Sequence, residues 1–160
     1  MKARLLTRAD LTHSAANFMA LFAGAGLSPR APGTVGTVAA IPVYLLMPSA
    51  SITYALLLAL LFVIGVWCCG VCARNLDAHD HGGIVWDEVV GYLLTMLWVP
   101  AGGWWILAGF VIFRLFDVIK PWPIGWVDRR VHGGLGIMLD DVIAGLMAGL
   151  LLHLGWRLFG

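Results

Sequence analysis

Two pairs of neighbouring acids interrupt stretches that are otherwise apolar: Asp87 and Glu88 in "IVWDEVVGYLLTMLWVP", and Asp140 and Asp141 in "GIMLDDVIAGLMAGLLLHLGW". Carboxylates are hard oxygen donors, and a set of them without thiolates selects Mg²⁺ or a similar ion that keeps positions for water and a phosphate. If the two pairs meet, like charges about 4 Å apart repel by roughly 4 kcal/mol at an effective dielectric of 20. Such a cluster needs protons or a cation. The alternative is helix-end electrostatics, worth well under ~1 kcal/mol for each acid in a first turn. That alternative strains at Asp87 and Glu88, because adjacent helical residues point about 100° apart, and Trp86, Val89, Val90 and Tyr92 leave little polar face for both.

Other residues could share the work. In "FRLFDVIKPWP", Arg114, Asp117 and Lys120 fall at i, i+3 and i+6 near one side of a helix that must end before Pro121. They read either as an ion-pair ladder or as an orienting carboxylate with two bases that clamp a phosphate, and both can hold together. "GAGLSPRAPGTVGT" lacks the G-K-[ST] ending of a Walker loop. It is a helix connector with Thr34 as the cap, or an anion cradle in which helix N–H groups and the hydroxyls of Ser28 and Thr34 face a phosphate. His79 and His81 flank Asp80, as loop histidines, transition-metal ligands or proton donors to a leaving alkoxide. Cys68 and Arg74 have the C-x5-R spacing of cysteine-dependent phosphatases. We read it as a decoy, because a continuous helix has already committed the N–H groups that would wrap a phosphate.

The elements that position these groups follow from composition. The 160 residues are 61% hydrophobic and 12% charged, with a mean hydropathy of +0.90, against roughly 25% charged residues in soluble domains. This predicts a single membrane-embedded domain over 1–160. The net charge of +1 gives no footprint for nucleic acid. The N-terminus begins basic and turns weakly apolar without a clear cleavage site, so we read it as retained, with an interfacial helix around 12–24. No charged residue lies between Ala31 and Ala73, and apolar helices are expected at roughly 35–47, 52–73, 84–99, 104–118 and 138–158. With helices alternating in direction, Lys2, Arg4, Arg8, Arg74, Lys120, Arg129 and Arg130 fall on one face, which the positive-inside rule makes cytoplasmic. Eight of the nine acids fall on the same face.

"GLSPRAPGTVGT", "DAHDHGGIVWDE" and "RLFDVIKPWPIGWVDRRVHGGLGIMLDDVIAG" together resemble the phosphatidylglycerophosphatase A family over most of residues 20–150. These are bacterial membrane enzymes that remove the terminal phosphate of phosphatidylglycerophosphate to give phosphatidylglycerol. The resemblance implies an all-α integral-membrane bundle, here of about five or six helices with the interfacial one, and an Mg²⁺-dependent phosphomonoesterase in the bacterial cytoplasmic membrane, its active site facing the cytoplasm. The family's acidic positions match Asp80, Asp87, Glu88, Asp117, Asp128, Asp140 and Asp141, and its basic ones Arg114, Lys120 and Arg129. Within that set we expect Glu88, Asp140 and Asp141, then Asp87, to hold the metal. Asp80, Asp87, Asp117, Arg114 and Lys120 are expected to carry the chemistry, and Ser28, Thr34, Arg129 and His79 to bind the substrate. Direct attack by water is preferred over an aspartyl-phosphate. The rival is a small ion-coupled membrane transporter, which predicts carboxylates at mid-bilayer.

Overall fold

The computed structural model describes residues 4–49, 51–78, 80–100 and 102–159, and among these all regular structure is helical. The helices are α1 (Arg8–Thr12), α2 (Ala15–Ala20), α3 (Pro32–Leu46), α4 (Ser51–Asn75), α5 (Trp86–Met96), α6 (Gly103–Ile119), α7 (Ile124–Asp128) and α8 (Gly133–Phe159), with a 3₁₀ segment, Phe22–Leu27, between α2 and α3.

Several boundaries differ from expectation, each for a local reason. The helix expected over 12–24 is broken into α1, α2 and the 3₁₀ segment. Ser14 caps α2 by accepting from the Asn17 N–H, the Asn17 side chain folds back onto Asp10 O at 2.9 Å, and the chain turns at Ala23 (φ 51°) and Gly24 (φ 107°). Thr34 is not the cap of α3; that position is Ala31, followed by Pro32 with its pre-set φ, and Thr34 lies inside the first turn. α5 starts at Trp86, after Val85 at the cap position with a non-helical φ of −135° and its N–H donated to Ala20 O at 2.9 Å. α7 was not expected, and α8 begins five residues before the expected 138.

α4 and α8, of 25 and 27 residues, rise about 38 and 40 Å at 1.5 Å per residue, enough for a hydrocarbon core of about 30 Å. Among the described residues, they are the helices long and apolar enough to cross a membrane. α3, α5 and α6 are shorter, at 15, 11 and 17 residues. The outward faces are apolar: Ile52, Leu60 and Val63 on α4, Leu107 and Val118 on α6, and Leu150 on α8 are all more than half exposed. Contiguous apolar exterior of this extent suits lipid rather than water.

α8 packs against α4, α5, α6 and α7. Directions follow from which residues meet. The end of α4 lies by the start of α8, with Cys69 Sγ 3.9 Å from Met138 Sδ. α5 runs parallel to α8, with Thr95 Oγ1 3.4 Å from Gly145 O. α6 runs back along α5, placing Phe113 edge-on to Tyr92 and Arg114 beside Glu88. α3 runs with α5, its Tyr44 edge-on to Tyr92. One end of the bundle therefore collects the starts of α3, α5 and α8 and the ends of α4 and α6. The N-terminal segment joins that end through Asn75 Nδ2, which donates to Asn17 Oδ1 at 2.7 Å. All nine acids, Asp10 included, thus gather at one end. Arg157 lies toward the other, where the His153 ring meets Trp98 O.

Candidate active site

The site is set by a seam of small residues. Along α5, Asp87, Gly91 and Thr95 recur every four residues and share a face; along α8, so do Asp141, Gly145 and Gly149. The two faces meet almost backbone to backbone: a Cβ on Gly145 would lie 2.5 Å from Gly91 O, and one on Gly149 3.0 Å from Thr95 O. One turn up the same seam, Asp87 and Asp141 are brought together. Glu88, one residue on, turns toward α3 and α6. It fits against α3 only because Gly33 has no side chain, since a Cβ there would run into the Glu88 carboxylate.

The result is a triad of carboxylates. One oxygen each from Asp87, Glu88 and Asp141 lies within 4.8 Å of the others. Asp87 and Asp141 are 9% and 3% exposed, and the Glu88 side chain 12%. Asp87 Oδ1, Glu88 Oε2 and Asp141 Oδ2 are buried without a hydrogen-bond partner. Removing one partner of a buried charge pair costs about 3–5 kcal/mol, so three clustered carboxylates with orphaned oxygens call for positive charge between them. An all-oxygen set of this kind fits a hard divalent cation such as Mg²⁺.

One base stands at the edge of the triad, and a second sits on Asp140. Arg114, in the last turns of α6, pairs with Asp117 and lies 3.6 Å from Glu88, while its Nε is buried and unpartnered. Lys120 Nζ donates to Asp128 Oδ1 at 2.7 Å and to Asp140 Oδ2 at 2.6 Å. Burial works against the charge on Lys120, but its hydrogen bonds to Asp128 and Asp140 outweigh it and hold the ammonium well above the ordinary lysine range. This revises the expected place of Asp140. Its side chain turns about 100° from that of Asp141, one oxygen on Lys120 and the other accepting the Asp141 N–H at 3.0 Å, so Asp87 rather than Asp140 completes the triad.

The remaining expected residues are more scattered. Asp80 is exposed in the loop before α5. Arg129 is exposed at the end of α7. Ser28 Oγ is used locally, donating to Arg30 O at 2.8 Å. Thr34 is half-buried in the first turn of α3, and His79 lies outside the described residues. The Gly83 N–H donates to His81 Nδ1, so Nε2 carries the ring proton and donates to Arg4 O at 2.8 Å. Gly33, Gly91 and Gly145 were missed as site residues, although the four-residue spacing in "DDVIAGLMAGLL" was a readable signal.

Cys68 and Arg74 both lie within the continuous α4, and Cys68 Sγ is buried 3.7 Å from Gly65 O. No phosphate-wrapping loop joins them. Cys68→Ser is therefore expected to change turnover by less than about twofold, measured as phosphate release. A variant reduced to background would restore a thiol mechanism.

Comparison with known proteins bears on the same residues. The profile of the family described as Phosphatidylglycerophosphatase A matches residues 18–156. The chain is 49% identical over 142 residues to the phosphatidylglycerophosphatase A of Escherichia coli (strain K12), covering 87% of this chain and 83% of that protein. It is 40% identical over 135 residues to that of Haemophilus influenzae (strain ATCC 51907 / DSM 11121 / KW20 / Rd), covering 82% and 83%. No solved structure matches. With the profile matching residues 18–156 and with identity at this level, the chain belongs to the phosphatidylglycerophosphatase A family.

Proposed function

We propose that this protein hydrolyses the terminal phosphomonoester of phosphatidylglycerophosphate, giving phosphatidylglycerol and inorganic phosphate, with Mg²⁺ held by Asp87, Glu88 and Asp141 at the cytoplasmic surface of the bacterial inner membrane. The observation that carries this reading is the convergence of three orphaned carboxylate oxygens at the charged end of an apolar bundle. A lipid phosphate can reach that end while its acyl chains stay beside the apolar flanks of the helices. Carboxylates deeper along several helices would have favoured the transporter.

When bound, the ion would offset charge on the phosphate and acidify a water. The protein's own groups do the rest. Arg114, held by Asp117 and with Nε unpaired, offers a donor to the phosphate oxygens as charge develops. The first-turn N–H groups of α3, at Gly33 and Thr34, add an anion-facing helix end beside Glu88, and exposed Arg129 meets the lipid head group. Water attacks phosphorus, the bond from phosphorus to the glycerol oxygen breaks, and that oxygen takes up a proton. Asp80, exposed in the loop before α5, is the group we assign to proton traffic with solvent.

The test uses the purified full chain in detergent or nanodiscs. Phosphate release from phosphatidylglycerophosphate is expected with Mg²⁺ and is expected to fall to background with a chelator, returning when Mg²⁺ is restored. Equal turnover in chelator would remove the metal from the reaction. Faster release from phosphatidic acid would displace the assigned substrate.

A further inference from the structure

Lys120 is placed by the way α6 ends. α6 stops there in a left-handed conformation (φ 46°, ψ 54°), its N–H closing onto Phe116 O, and Pro121 prevents the helix from continuing. The side chain then reaches between two other helices, to Asp128 at the end of α7 and to Asp140 in the second turn of α8. Two carboxylates from different helices closing on one point is an arrangement that can draw a metal ion. Here an ammonium from the same chain fills it.

The neighbouring triad differs in one respect. Asp87, Glu88 and Asp141 each keep a buried oxygen without a partner, whereas no buried polar atom of Asp128, Asp140 or Lys120 is left unpartnered. The consecutive aspartates 140 and 141 therefore serve two adjoining cation positions, one already satisfied by the fold and one not. In two-metal phosphate chemistry a second ion adds positive charge beside the first. A lysine in the second position gives fixed positive charge that does not exchange with solvent.

We infer that Lys120 is a built-in cation filling the second of two adjoining carboxylate sites, so that the protein takes one divalent ion and not two. The inference rests on the reading of Asp87, Glu88 and Asp141 as the metal position. It makes Lys120 a positioning residue: it keeps Asp140 away from the ion and leaves Asp141 facing α5. With three donors on Nζ and two in use, the ammonium satisfies both carboxylates at once.

The experiment counts bound Mn²⁺ on the purified full chain by loss of the free-ion paramagnetic resonance signal. Wild type is expected to bind one ion per chain, and Lys120→Arg, which keeps the charge, also one. Lys120→Met is expected to bind two, because the vacated Asp128 and Asp140 pair accepts an ion, and Lys120→Met with Asp140→Asn is expected to return to one. A lysine with only a structural role would not raise the count. Two ions on wild type, or one on a Lys120→Met protein with wild-type circular dichroism and elution volume, overturns the inference and leaves the metal position standing. No ion on wild type overturns both. Should Lys120→Met lose its fold, Lys120→Gln removes the same charge, and its count decides in the same way.

Discussion

Asp141→Asn is expected to lower phosphate release by on the order of 10²- to 10³-fold, the scale seen when one preorganised charge-stabilising group is removed from an active site, while the protein stays folded. The substitution preserves shape at a residue only 3% exposed and removes one of three carboxyl groups whose oxygens lie within 4.8 Å of one another. Without metal, that removal relieves repulsion, so the chelated variant should melt no lower than chelated wild type. With Mg²⁺ the order is expected to reverse, because under the proposed assignment the variant lacks an anionic ligand and gains less stability from the ion. Thermal melts with and without Mg²⁺, alongside phosphate release, separate the two effects. Glu88→Gln should behave alike in direction. An Asp141→Asn protein that turns over near the wild-type rate would remove this residue from the site.

Gly145→Val is expected to disable the enzyme without touching a charged group. A Cβ at this position would lie 2.5 Å from Gly91 O, a backbone atom that cannot rotate away. α5 and α8 must separate, and overpacking of this kind costs about 1–3 kcal/mol. Asp87 and Asp141 sit one turn along the same seam, and a misplacement of about 1 Å can cost on the order of 10²-fold in rate. The control is Gly155→Val in the same helix, where an added Cβ meets nothing within 4 Å. It should leave melting temperature and turnover close to wild type. Equal activity in the two variants would show that the seam does not set the site.

The gathering of acids at one end was legible because it needed only helix count and alternation: Asp87 and Glu88 open one helix, Asp117 closes another, and Asp140 and Asp141 lie early in a third. What escaped sequence reading depends on contacts between distant residues. The start of α8 at Gly133 was hidden behind three glycines in "GGLGIM", residues of low helix propensity. They are helical because Gly134 packs directly against Val66 O and Gly70 of α4, a contact that any side chain would block. The separation of Asp140 from Asp141 was also invisible, since it follows from the left-handed conformation at Lys120 and the unforeseen α7 that presents Asp128. Helix periodicity shows that adjacent acids diverge; it does not say which one meets a lysine.

The central position of α8 has a consequence for assembly. This helix is the last in the chain, yet it touches α4, α5, α6 and α7 and brings in Asp141. Until α8 docks, the helices before it lack their common partner, and Asp87 and Glu88 have no third carboxylate. The triad is therefore a property of the assembled bundle and forms only when α8 seats against α5.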